Sequence, residues 1–164
     1  MTRVMPPIRP EPRCAVGYVR GMAADTLRSV EIERTGLGQY VGRNVRGGTL
    51  EFGTGDAGDP RFTPVELLLT AIAGCTAADV DYIVSKRAEA TEFIARAFGD
   101  KIRDEHGHNR LVNLLVQLAV TFPEGEGGDA AREALPRAVQ MSHDRLCTVS
   151  RTVESGTPIA TGLG

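Results

Sequence analysis

The segment from Thr63 to about Arg87 constrains the fold more than any other part of the chain. Thr63 reads as a helix N-cap, Pro64 as the first helical residue, and Glu66 falls three places after the cap. That is a Thr-x-x-Glu capping box, in which each side chain satisfies a backbone N–H left open by the other. Val65, Leu68, Leu69, Ile72, Ala73, Thr76, Val80, Ile83 and Val84 then recur at spacings of three and four. Up to Ala78 the helix is apolar on nearly every side, so it is expected to be a buried central helix.

Strands flank it. From Thr26 the residues alternate, with Leu27, Ser29, Glu31 and Glu33 on one side and Arg28, Val30, Ile32 and Arg34 on the other. This is the period of a strand with one wet face. Gly36 and Gly38 end it, Gln39 to Gly42 predicts a second short strand, and Gly47-Gly48 turns the chain into a third over Thr49 to Phe52. The result is a small antiparallel meander.

After the helix, Thr91 to Phe98 predicts a strand and Asp104 to Asn109 a polar turn. Val112, Leu114, Val116, Leu118, Val120 and Phe122 then occupy every even position of a long, half-buried strand. Pro123 and the Gly/Glu run break it. Asp129 is the expected cap of a second helix reaching about Cys147, with Leu135, Ala138, Val139, Ser142 and Leu146 inward. Pro136 is expected to kink that helix or mark its true start. Pro158-Ile159-Ala160 predicts an edge strand.

Residues 1–25, with Pro6, Pro7, Pro10 and Pro12, read as an N-terminal extension, and 26–164 as one domain. At 164 residues, 41% hydrophobic and 24% charged, the composition is that of an ordinary globule, although the lack of Trp leaves the core to aliphatic side chains. A net charge of −2 with scattered cations disfavours a nucleic-acid partner. The longest greasy run, Val65 to Ala73, is interrupted by Glu66 and Thr70, so no membrane span is expected. The N-terminus has no apolar h-region, which makes the cytoplasm the default compartment. Three cysteines without a CxxC pair or a His/Cys cluster predict reduced thiols, no zinc site and no cofactor.

Phe62-Thr-Pro-Val-Glu-Leu-Leu-Leu-Thr-Ala-Ile-Ala-Gly-Cys75-Thr-Ala-Ala-Asp-Val80 resembles the OsmC/Ohr family. That family's signature runs from Pro-x-Glu-Leu-Leu into Gly-Cys-Thr on one long helix. Arg137-Ala-Val-Gln-Met-Ser-His-Asp-Arg-Leu-Cys147-Thr-Val resembles its second-cysteine motif, and the likeness spans residues 26–162. The resemblance implies an α+β fold, a curved antiparallel sheet wrapped around two central helices and completed in an intertwined homodimer. It also implies thiol-dependent reduction of organic hydroperoxides, with Cys75 as the attacking and Cys147 as the resolving thiol, and a dithiol as reductant.

In the family's peroxidases a carboxylate directly follows the motif proline and an arginine comes from an N-terminal strand. Here Val65 follows Pro64 and Glu66 comes one place later, while Arg43 and Arg46 are the nearest arginines. The pattern is closer to the OsmC-like branch. Catalytic candidates are therefore Cys75, Cys147, Glu66 and Arg43, although Glu66 has a complete structural explanation as a capping residue. The alternative reading is a dimer that binds a hydrophobic small molecule in a cleft, with bystander thiols. Cys14 reads as incidental. His106 and His108 lack a third metal ligand, and His143 lies one helical turn before Cys147.

Overall fold

A computed structural model describes residues 26–163. They fall in two compact units, one comprising the residues up to Pro64 together with those from Ile159, the other Val65–Pro158.

The first unit is the expected meander. Strands β1 (Val30–Gly36), β2 (Gln39–Asn44) and β3 (Thr49–Gly53) pair antiparallel in that order. Gly38, with φ 67°, and Gly47, with φ 89°, supply the left-handed turn conformations that side chains resist. Tyr40 stacks on its cross-strand partner Phe52 with ring centroids 5.4 Å apart. The expected single wet face is not found on β1. Val30 and Ile32 are both exposed, as are Glu31 and Glu33 on the other side, because the three strands carry no second layer within the described residues of their unit. The predicted edge strand at Pro158-Ile159-Ala160 is also absent, and that segment is irregular and exposed.

The second unit holds helix α1 (Pro64–Val84), strands β4 (Glu92–Arg103) and β5 (Asn109–Thr121), helix α2 (Glu126–Met141), a π-helical turn (Ser142–Leu146) and helix α3 (Thr148–Glu154). Val80 and Val84 of α1, both fully buried, form its core with Phe122, Ala131 and Ala138. Half-buried Leu118, Val120, Leu135 and Val139 surround them. The expectation of a helix buried all round is corrected. Ile72, Ala73, Thr76, Val80 and Val84 are buried, whereas Leu68, Ala71, Gly74, Ala78 and Tyr82 face outward in the single chain. The expected lack of a 20-residue apolar span is corrected too. α1 is long and apolar enough to cross a membrane by length and composition, properties it shares with the core helices of soluble proteins.

β4 and β5 form an antiparallel hairpin whose turn is held by Asp104. Its Oδ1 accepts the backbone N–H groups of His106 and His108 at 3.0 and 2.8 Å. The register slips between Phe98 and Asp100, so that Asn113 and Leu114 together oppose Gly99. Asn113 takes the left-handed conformation (φ 53°) and its Nδ2 donates to Asp100 Oδ2 at 2.8 Å. The uninterrupted even-position pattern therefore stops at this bulge, where Leu114 and Leu115 are both exposed.

The second helix starts earlier than expected. Gly125, with φ 105°, breaks the chain and α2 opens at Glu126, so Asp129 is not its cap and Pro136 lies inside it rather than at its start. A side chain at Gly128 would collide with the Pro123 carbonyl, which fixes how closely the helix turns off the strand. Nor does α2 run to Cys147, because the α-helical phase ends at Met141.

Candidate thiol site

Cys75 sits midway along α1, and Asp79 follows it by four residues, which places both side chains on one flank of the helix. Thr76, next to Cys75, turns its hydroxyl back to the Ile72 carbonyl at 3.2 Å. The buried stripe of α1 runs beside this flank, so the thiol is half-buried rather than open.

Cys147 is delivered by a change of helical phase. Its N–H donates to the carbonyl of Ser142, five residues back, at 2.9 Å, closing the π turn. The backbone then becomes extended at Cys147 (φ −65°, ψ 95°) before α3 begins, so Cys147 is the N-cap of α3 and its sulfur accepts the N–H of Ser150 at 3.4 Å. The turn that produces this kink also buries Ser142 completely, and Ser142 Oγ donates to Asp79 Oδ2 at 2.9 Å.

These elements bring Cys75 Sγ, Cys147 Sγ and an Asp79 carboxylate oxygen within 4.8 Å of one another. Both cysteines are free thiols, Cys147 fully buried. Hydroxyls surround its sulfur, that of Ser150 at 3.1 Å and that of Thr76 at 3.8 Å.

The electrostatics separate the two thiols. Burial is the largest influence on each and pushes both upward. For Cys147 it is outweighed by donors that favour the thiolate, namely the Ser150 hydroxyl and N–H, the Cys75 thiol and the Thr76 hydroxyl, and the net shift is below the usual thiol value. For Cys75 the Val149 N–H opposes burial, but its hydrogen bond to Cys147 and the charges of Cys147 and Asp79 add to it, and the net shift is upward. Of the two thiols, Cys147 therefore gives up its proton more readily than Cys75.

A cavity of about 540 Å³ adjoins the pair. Its walls are mainly apolar, with Ile72, Leu115, Val116, Leu118, Val139 and Val153 contributing. Thr76 and Ser150 line it as well, and both hydrogen-bond Cys147 Sγ, so the cavity ends one side chain away from sulfur. His143 and Glu154, 3.7 Å apart, stand at its polar side.

The other sequence candidates are placed as follows. Glu66 is exposed in the first turn of α1, nine residues before Cys75, or about 13 Å along a straight helix. Arg43 lies on β2 in the first unit and pairs with Glu33 at 3.6 Å. Arg46 is exposed in the turn after β2, where its N–H donates to Asn44 Oδ1. His106 and His108, 6.1 Å apart by ring centroid, are exposed beside Glu105 and Asp104. The π turn carries His143 to Glu154, and Cys14 lies outside the described residues. Sequence reasoning missed Asp79, Ser142 and Ser150. Only Asp79 left a signal, its spacing of four from Cys75; the contacts of Ser142 and Ser150 depend on a π turn that no residue pattern announced.

Comparisons with known proteins agree with this architecture. The uncharacterized protein Rv2923c of Mycobacterium tuberculosis is 30% identical over 129 residues, which cover 78% of this chain and 90% of that protein. An OsmC-like protein of unknown function from Vibrio cholerae superposes with a TM-score of 0.64 at 13% identity, over 79% of this chain and 94% of the other. The organic hydroperoxide resistance protein OhrB of Bacillus subtilis superposes with a TM-score of 0.50 at 17% identity, over 79% and 92%. Residues 53–162 match the family model described as OsmC-like protein, and the chain belongs to that family.

Proposed function

We propose that the protein is a thiol peroxidase acting on organic hydroperoxides, with Cys75 as the attacking thiol and Cys147 as the resolving one. The observation that carries this reading is the pair of free thiols with sulfurs within 4.8 Å of each other, one side chain away from an apolar cavity. Cys75 is the more accessible of the two, which favours it for attack.

The chemistry closes on the two sulfurs. Cys75 reacts as the thiolate, its proton passing to solvent. Its sulfur attacks the terminal oxygen of the hydroperoxide, the O–O bond breaks, and the alkoxide leaves as an alcohol after taking a proton. The Cys75 sulfenic acid then condenses with the Cys147 thiol, a disulfide forms and water departs. An external dithiol reduces that disulfide and restores both thiols. Arg43, paired with Glu33 on its own sheet, and Glu66, in the first turn of α1, are given no step in this reading, and residues 1–25 remain an extension to the 26–164 domain.

The apolar wall of the cavity suits the organic part of such a substrate. It equally favours a second reading, in which a homodimer holds a hydrophobic small molecule and the thiols do not react. Dimerisation is supported by the outward-facing Leu68 of α1 and by Leu114 and Leu115 of β5, apolar side chains that a second copy would cover. The cytoplasm, where thiols stay reduced, fits either reading.

Turnover of an alkyl hydroperoxide with a dithiol tests the choice. The peroxidase reading expects catalytic consumption that Cys75→Ser abolishes. Binding of an apolar probe in the cavity, with no hydroperoxide consumed by the native protein, would instead establish the second reading.

A further inference from the structure

The same pocket of the fold gathers three groups that metals seek. Cys75 Sγ, Asp79 carboxylate and Cys147 Sγ lie mutually within 4.8 Å. We propose that Cys75, Asp79 and Cys147 form a three-ligand site for a borderline-soft divalent cation, zinc above all, with a fourth position left to an exogenous ligand. This rests on the placement of the ligands and not on the peroxidase reading.

Geometry comes first. In a tetrahedral zinc site with Zn–S about 2.3 Å and Zn–O about 2.1 Å, donors stand about 3.6–3.8 Å apart. Separations of at most 4.8 Å need to close by about 1.2 Å or less to reach that geometry. Cys75 and Asp79 share a flank of α1 at a spacing of four, which is the spacing by which one helix offers two ligands to one ion. Cys147 comes from the junction of the π turn and α3, so the ion would clamp two elements together.

Chemistry selects the ion. Two thiolates with one carboxylate favour zinc over the hard cations magnesium and calcium, which take oxygen ligands. Zinc displaces the thiol protons and binds the two thiolates and the carboxylate with one net negative charge. Among the described residues, the interactions at these groups come from hydroxyls, peptide N–H groups and the groups themselves.

An outer shell is already built. Ser142 Oγ fixes the Asp79 carboxylate, and the Ser150 hydroxyl fixes Cys147 Sγ. Such partners orient ligands in metal sites. Three protein ligands leave a fourth position for water or an exogenous ligand.

The test uses the full chain, reduced and metal-free, titrated with Zn2+ and separately with Co2+ as a spectroscopic probe. The inference expects one ion per chain, thiolate-to-cobalt charge-transfer absorption with tetrahedral d–d bands, and protection of both thiols from alkylation by Zn2+. Asp79→Asn is expected to weaken zinc at least about 10-fold, the lower end of what losing an outer-sphere partner alone costs. His106→Ala with His108→Ala is expected to leave the affinity unchanged. Thiols alkylated equally fast with and without Zn2+ in the native chain would overturn the inference, and so would zinc that responds to the histidine substitutions and not to Asp79→Asn. None of these measurements involves a hydroperoxide, so their failure leaves the peroxidase reading standing, and the reverse holds too.

Discussion

Ser142 Oγ donates a 2.9 Å hydrogen bond to Asp79 Oδ2, and through it the π turn that delivers Cys147 is tied to the helix that carries Cys75. The donor is fully buried, so the bond is not exchanged for water. Ser142→Ala would leave a half-buried carboxylate short of a partner and cost about 1–3 kcal/mol of stability, read from denaturant unfolding. It is also expected to slow disulfide formation between the two thiols, whereas a Ser142 that merely fills space would leave that rate unchanged.

Cys147→Ser is expected to keep the first chemical step and lose the second. After one equivalent of an alkyl hydroperoxide, a sulfenic acid should persist on Cys75 and be trapped by a 1,3-dione, with the mass of one adduct per chain. Cys75→Ser should abolish the adduct and reduce turnover by at least about 100-fold.

Narrowing the cavity should discriminate between oxidants. Val153 lines it from α3, and Val153→Phe is expected to lower kcat/KM for a bulky alkyl hydroperoxide by about 10-fold or more while sparing hydrogen peroxide, which needs no apolar room. Equal losses for both would mean that the cavity does not receive the substrate.

Much of this architecture could be read from residue order. The capped apolar run became α1, ending within a few residues of the expected place, and the Gly38 and Gly47 turns gave the β1–β3 meander its connections. What escaped was set by backbone phase rather than by pattern. A positive φ at Asn113 interrupts an alternation that is perfect in the letters, and Gly125 starts α2 ahead of the Asp129 that looked like its cap. The π turn and α3 were invisible for a related reason, since a single extra residue per turn leaves no periodic signature over five positions. Burial of α1 was over-read because an apolar surface states what must be covered and not whether its own chain covers it. The two thiols were identified from their motifs, but their convergence with Asp79 is a long-range fact.

The core of the second unit gives a prediction independent of chemistry. Val80 is fully buried between α1 and its neighbours, and Val80→Ala is expected to destabilise the protein by about 2 kcal/mol with no change in the unfolding slope.

The Asp59–Arg61 fork predicts a dependence on pH. Asp59 accepts the Arg61 N–H and Nε through Oδ1 and Nη2 through Oδ2, and these hydrogen bonds hold its carboxyl below the usual range. A folded-state pKa below the unfolded one stabilises the fold above the unfolded value of about 3.9, and that contribution is lost as pH falls through the folded one. Asp59→Asn should therefore lower Tm at neutral pH, and the gap to the native protein should close as the solution is acidified below about pH 4. A gap independent of pH would contradict it.

The central claim is that Cys75 and Cys147 exchange their thiols for a bond when an organic hydroperoxide is reduced. Non-reducing peptide mapping by mass spectrometry, after one equivalent of tert-butyl hydroperoxide is added to the reduced protein, tests it directly. The account predicts a cross-linked peptide joining Cys75 to Cys147, with two thiols lost per chain and restored by a dithiol. Both thiols remaining free, or Cys75 passing to the sulfinic acid with Cys147 untouched, would contradict it.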